Sequence, residues 1–158
     1  MAGAEEGKEF SLASGDISEL GWRNMRKKTI LVVEDESDVM AFLVEDIRSF
    51  GYDVVEASDA ETALSMFQGA KAIDLVITDM HLPGMSGIDL LGEVKRASPA
   101  VPVIMLTGHS SIESYVQTIS SGVFEYINKP VQAEELERII KAALTQPPAG
   151  AGSVPLDA

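Results

Sequence analysis

With 158 residues the chain has room for one domain of ordinary size plus flanking segments. It contains no cysteine, which excludes a disulfide framework and a thiolate metal site, and no run approaches the ~20 apolar residues that span a bilayer, so a cytoplasmic protein without a membrane anchor is the default expectation. Of the net charge of −13, −12 sits in the body, where residues 29–145 hold 7 Lys and Arg against 19 Asp and Glu; such a surface repels nucleic-acid phosphates, so no direct nucleic acid binding by this domain is expected.

Residues 1–28 are rich in Gly, Ser, Ala and Glu without a sustained period and read as a flexible leader, whose basic run Arg23, Arg26, Lys27, Lys28 is a solvated approach to the first strand. Apolar, β-branched runs then predict strands at Thr29–Val33, Asp53–Ala57, Leu75–Thr78, Val101–Leu106 and Phe124–Asn128. Between them lie segments with helical spacing. Ser37–Phe50 places Val39, Phe42, Leu43, Ile47 and Phe50 on one stripe and stops at Gly51, a natural residue past a helix end. Ala60–Phe67 follows a Ser58-Asp59 cap, and Gly87–Arg96, Ile112–Ser121 and Ala133–Leu144 complete the set. The Pro- and Gly-rich stretch 146–158 cannot hold a helix and reads as a flexible tail.

Five strands alternating with five helices through short connections predict a doubly wound α/β domain over residues 29–145, a (βα)₅ unit with a parallel sheet and helices on both faces. In such sheets chemistry collects beyond the carboxyl ends of the strands. There stand Glu34, Asp35 and Glu36 after the first strand, Asp79 after the third, Thr107 after the fourth, and Lys129-Pro130 after the fifth. Each has a plain structural use when taken singly. Acids at a helix start stabilise by about 0.3–1 kcal/mol, and Lys129 could form an ordinary ion pair. Together they say more, because two or three clustered carboxylates require a compensating cation, and a hard divalent ion such as Mg²⁺ with retained waters is the simplest. Carboxylate, metal, hydroxyl and ammonium around one point form a set suited to phosphoryl transfer.

Four stretches carry a family resemblance: Ile30-Leu31-Val32-Val33-Glu34-Asp35-Glu36, Asp79-Met80-His81-Leu82-Pro83-Gly84-Met85-Ser86-Gly87, Thr107-Gly108-His109 and Asn128-Lys129-Pro130. In order and spacing over residues 29–145 the chain resembles the receiver domains of two-component response regulators, whose flavodoxin-like sheet has strand order 2-1-3-4-5. The resemblance implies Asp79 as phosphoacceptor, with Asp35, Glu34 through water, Asp79 itself and the backbone carbonyl of His81 around Mg²⁺. It implies Thr107, Lys129 and the backbone N–H groups of Met80 and Gly108 as phosphoryl-binding groups, a cis peptide at Lys129-Pro130, and Thr107 with Tyr126 as the switch pair. It further implies a histidine kinase or phosphotransfer protein as donor, an output face built from the predicted helix over 112–121, the fifth strand and the last helix, and a domain that catalyses only its own phosphorylation and dephosphorylation. A phosphorylation-dependent homodimer is compatible with that family. The Thr107-Gly108-His109 block looks most like receivers attached to enhancer-binding transcription regulators.

Two rivals share the architecture. Aspartyl-phosphate phosphatases place a second acid two residues after the nucleophile, where this chain has His81, and no cap domain remains to hold a substrate. A flavodoxin-like cofactor binder needs a Ser/Thr/Gly-rich phosphate loop after the first strand, where Glu34-Asp35-Glu36-Ser37 repels phosphate.

Overall fold

The computed structural model describes residues 26–69, 71–108 and 122–145. The leader up to residue 25, the predicted helix over 112–121, His109 and the tail from 146 lie outside the described residues. The strands are β1 (Thr29–Val33), β2 (Asp53–Ala57), β3 (Leu75–Asp79), β4 (Val103–Thr107) and β5 (Glu125–Asn128). The described helices are α1 (Ser37–Ser49), α2 (Ala60–Phe67), α3 (Gly87–Ala97) and α4 (Ala133–Thr145). All strand pairs are parallel and the sheet order is β2-β1-β3-β4-β5, as expected for a doubly wound sheet.

Alternation along the strands divides the core into two layers. Ile30, Val32, Leu75, Ile77, Ile104 and Leu106 face one side, where Leu43 and Ile47 of α1 and Leu136 and Ile140 of α4 cover them. Leu31, Val33, Val76, Val103 and Met105 face the other, beneath Ala60 and Ala63 of α2 and Leu90, Leu91 and Val94 of α3. With helices on both faces, β1, β3 and β4 are buried along their whole length, which is why they read as continuous apolar runs.

Local chemistry sets the helix ends. The Asp59 carboxylate accepts the Thr62 N–H at 2.7 Å and caps α2, while Ser86 and Asp89 form a reciprocal capping box on α3. Beyond α1, Gly51 takes a φ of 103°, and its N–H donates to Arg48 O.

Three details depart from expectation. Phe42 was expected on the buried stripe of the first helix; it is 69% exposed, because the sheet takes the stripe Met40, Leu43, Val44 and Ile47, and Phe42 projects from beside it. Instead Phe42 borders a groove of about 560 Å³ with Val39, Leu43, Pro130 and Val131. The fourth strand begins at Val103 and not at Val101, since Pro102 has no N–H and the Val101 N–H closes a turn onto Ser98 O. Finally, the end of the leader is held against the body: Arg26 pairs with Asp74 at 3.1 Å, and the other Asp74 oxygen accepts the Thr29 N–H at 2.8 Å.

Candidate phosphoacceptor site

Four chain segments meet at the carboxyl edge of the sheet, next to the point where the strand order reverses between β1 and β3. The ladders of β1, β3 and β5 each extend one residue past the strand's last member. Glu34 N–H donates to Ala57 O at 3.1 Å, Met80 N–H to Leu106 O at 2.8 Å, and Lys129 N–H to Thr107 O at 2.7 Å. The residues that begin the loops are therefore fixed by backbone hydrogen bonds, and their side chains leave the sheet at defined points.

Glu34 is 1% exposed and Asp79 6%, while Asp35 is exposed, and the three offer carboxylate oxygens that all lie within 4.8 Å of one another. The Lys129 ammonium stands 3.0 Å from Asp79 Oδ2 and 3.0 Å from Glu34 Oε1. Its hydrogen bond goes to Asp79, so Glu34 Oε1 is buried in ion-pair contact without a hydrogen bond of its own. The other Glu34 oxygen accepts the Glu36 N–H at 3.2 Å. One ammonium thus faces three carboxylates, leaving an excess of negative charge in a partly desolvated cleft.

Burial pushes the Glu34 carboxyl above its ordinary range; the adjacent Lys129 ammonium and the Glu36 N–H pull against that, and the Asp79 charge adds to it. Burial also opposes the Lys129 charge, but Asp79 and Glu34 together outweigh it and hold the ammonium above its ordinary value. Because the folded Glu34 carboxyl binds its proton more tightly than the unfolded one, the stability Glu34 contributes to the metal-free protein is lost as pH rises from 4.5 through the raised value. Glu34→Gln should flatten the urea midpoint across that range; an unchanged slope would assign it to another group.

These residues fit a hard cation. The donor set is oxygen only, the carboxylates converge, and the buried Glu34 Oε1 has spare acceptor capacity, so Asp35, Asp79 and Glu34 could hold a divalent ion.

The remaining expected residues are distributed as follows. Thr107 is fully buried at the end of β4, with exposed Gly108 next to it. Met105 pairs with Tyr126 across β4 and β5, and alternation puts Thr107 and the half-buried Tyr126 on the same face of the sheet. The Lys129–Pro130 peptide is cis.

One expected donor is not available. The Met80 N–H is bonded to Leu106 O, because alternate residues of β3 aim their backbone at β4, as Val76 does through Pro102 O. The next amide, that of His81, points the other way and donates to Asp79 Oδ1 at 3.2 Å. The period of two in a parallel ladder, counted from Val76, contains that distinction; counting from the motif alone misses it.

Comparison with known proteins agrees with this geometry. The family model described as response regulator receiver domain matches residues 30–141. The chain belongs to that family. It is 36% identical over 117 residues to the transcriptional regulatory protein GlrR of Escherichia coli (strain K12), covering 74% of this chain and 26% of that one. It is 37% identical over 117 residues to the nitrogen assimilation regulatory protein NtrX of Azorhizobium caulinodans, covering 73% and 26%. Among solved structures, a response regulator receiver domain protein from Clostridium thermocellum superposes with a TM-score of 0.70 at 37% identity, covering 74% of this chain and 94% of that one. The chain spans about a quarter of the length of GlrR and of NtrX. It is a receiver domain of the two-component type, and no described helix is long and apolar enough to cross a membrane.

Proposed function

We propose that this receiver domain takes a phosphoryl group from the phosphohistidine of a histidine kinase or phosphotransfer protein onto Asp79, with Mg²⁺ held by Asp35, Asp79 and, through water, Glu34, and that the product switches an output face. The observation that carries the reading is the convergence of three carboxylates and one ammonium at the topological switch point. An Asp79 oxygen attacks phosphorus, the P–N bond to the donor imidazole breaks, and an acyl phosphate forms on Asp79. The bound cation would neutralise phosphoryl oxygens and draw the acid cluster together. The His81 backbone carbonyl is the fourth proposed metal ligand. Lys129 would exchange its Asp79 contact for the phosphoryl oxygens, and the N–H groups of His81 and Gly108 would donate to them.

Thr107 and Tyr126 form the proposed switch. A dianionic group on Asp79 offers the Thr107 hydroxyl a new acceptor, and its inward movement opens space for the Tyr126 ring. The output face would combine β5, α4 and the segment over 112–121. The domain itself is a signalling module whose only reaction is its own phosphorylation and dephosphorylation. Cytoplasmic location, absence of direct nucleic-acid contact and phosphorylation-dependent pairing of two copies belong to the same reading. A phosphatase reading finds no second acid, since the exposed His81 stands two residues beyond Asp79.

Acetyl phosphate with Mg²⁺ should add one phosphoryl mass to the chain, mapping to the peptide that contains Asp79. Thr107→Ala should still accept the label while losing most of the amide shift changes in β5 and α4 that a beryllofluoride adduct produces. Label on any other residue would overturn the assignment.

A further inference from the structure

The loop that joins β3 to α3 carries the His81 backbone past Asp79, and its two ends are fastened differently. At its base, Gly87 N–H donates to Met80 O at 3.0 Å and the capping box of Ser86 and Asp89 fixes the start of α3. At its tip the chain turns through Gly84 with a φ of 79°, and the next amide, Met85 N–H, donates 3.1 Å to Glu61 Oε2. Glu61 lies on the first turn of α2, 24 residues away in sequence, and it has no part in the acid cluster around Asp79. Its carboxylate also fills the space beside Gly84, where an added Cβ would sit 3.0 Å from Oε2 and 3.6 Å from Oε1. Glycine at 84 therefore serves two needs: it permits the left-handed turn and it leaves room for the acid that holds the loop.

We propose that Glu61 is a positioning residue for the phosphoacceptor site: by holding the Met85 amide it sets where the His81 backbone stands beside Asp79. This rests on the phosphoacceptor reading above. The route is short. Only Leu82, Pro83 and Gly84 separate His81 from the tethered amide, Leu82 is buried as the loop's own anchor, and the His81 N–H is hydrogen-bonded to Asp79 Oδ1. Releasing the tip leaves Leu82 to hold the run from His81 to Met85, and its neighbour His81 gains freedom against Asp79 Oδ1. The backbone of His81 is what the proposed site uses, through its N–H and its carbonyl.

The full chain with Glu61→Ala and Glu61→Gln tests this. In metal-free protein, Glu61→Ala should move the amide signals of Met85 and His81 and speed hydrogen exchange at His81. It should weaken Mg²⁺ binding about fivefold, the scale of one hydrogen bond, and slow labelling by acetyl phosphate at subsaturating Mg²⁺ by a similar factor. Its melting temperature should stay close to that of the unaltered chain. Glu61→Gln keeps an acceptor for Met85 N–H and removes the charge, so it should restore Mg²⁺ affinity to within about twofold. Unmoved His81 signals together with unchanged Mg²⁺ affinity in Glu61→Ala would overturn the proposal. Equal impairment of both variants would overturn it too, by showing a charge effect in place of a tether. If the unaltered chain takes no label on Asp79, the phosphoacceptor reading fails on its own, and the metal-free amide signals still decide whether Glu61 places the loop.

Discussion

Gly87→Ala should destabilise the domain by about 3 kcal/mol, whereas Gly92→Ala in the same helix should stabilise it by up to about 1 kcal/mol. A Cβ at residue 87 would lie 2.1 Å from Asp79 O and 3.0 Å from Met80 Cα. Those are backbone atoms at the end of a buried strand, and they cannot rotate away as a side chain could. The strand end is further held by Thr78, whose hydroxyl donates to the same Asp79 carbonyl at 2.9 Å, and by the Met80 N–H bonded to Leu106 O. Either α3 lifts from the sheet or the end of β3 shifts, and both break ladder hydrogen bonds. At Gly92 nothing lies within 4 Å of an added Cβ, so the substitution acts only through helix propensity. Urea denaturation with an unchanged m-value for both variants would read the two effects directly. A neutral Gly87→Ala would mean that the approach of α3 to Asp79 is looser than the structure has it. Since the displaced atoms belong to the phosphoacceptor itself, Gly87→Ala should also slow labelling of whatever folded fraction remains.

That glycine shows where sequence reasoning stops. The run Asp79 to Gly87 was legible as a motif, and Gly87 as the start of a helix, but its reason is a contact between α3 and the end of β3 that spacing does not reveal. Strands β1 and β2 and helix α2 were legible to the residue, since turn formers or charged residues bound each run; burial on both faces leaves β1 a continuous apolar stretch, while edge strand β2 shows itself by the pair Val54-Val55. The acids Glu34, Asp35 and Asp79 and the cation Lys129 were legible as a site because parallel strands must deliver their ends to one edge. Phe42 was misplaced because helical spacing lists neighbours on a stripe without saying which edge of the stripe the sheet takes. Glu61 left no trace at all: an exposed acid in a first helical turn has an ordinary reading in the helix dipole, and its partner is a backbone amide in a distant loop.

Asp79→Asn should abolish labelling outright and, in metal-free protein, raise stability or leave it unchanged, while cancelling most of the stabilisation by Mg²⁺. In the unaltered chain Glu34 and Asp79 are buried beside exposed Asp35, and the single Lys129 ammonium serves the two buried acids at 3.0 Å each. Replacing the Asp79 charge by an amide of equal shape removes the repulsion that helps raise the Glu34 carboxyl, and it leaves Lys129 its contact with Glu34. The gain should reach about 1 kcal/mol, modest because Lys129 loses one charged partner. Divalent metal acts in the opposite sense: at 100 times its dissociation constant it should stabilise the unaltered chain by about 2.7 kcal/mol, and at ten times by about 1.4 kcal/mol. Asp35→Asn should lose most of that metal response too, although Asp35 is exposed and its removal relieves less repulsion between buried groups. Thermal scans with and without Mg²⁺ on the three chains give the signs at once. An Asp79→Asn variant that is less stable than its parent without metal would show that Lys129 already balances the cluster, and the argument for a cation from excess negative charge would fail.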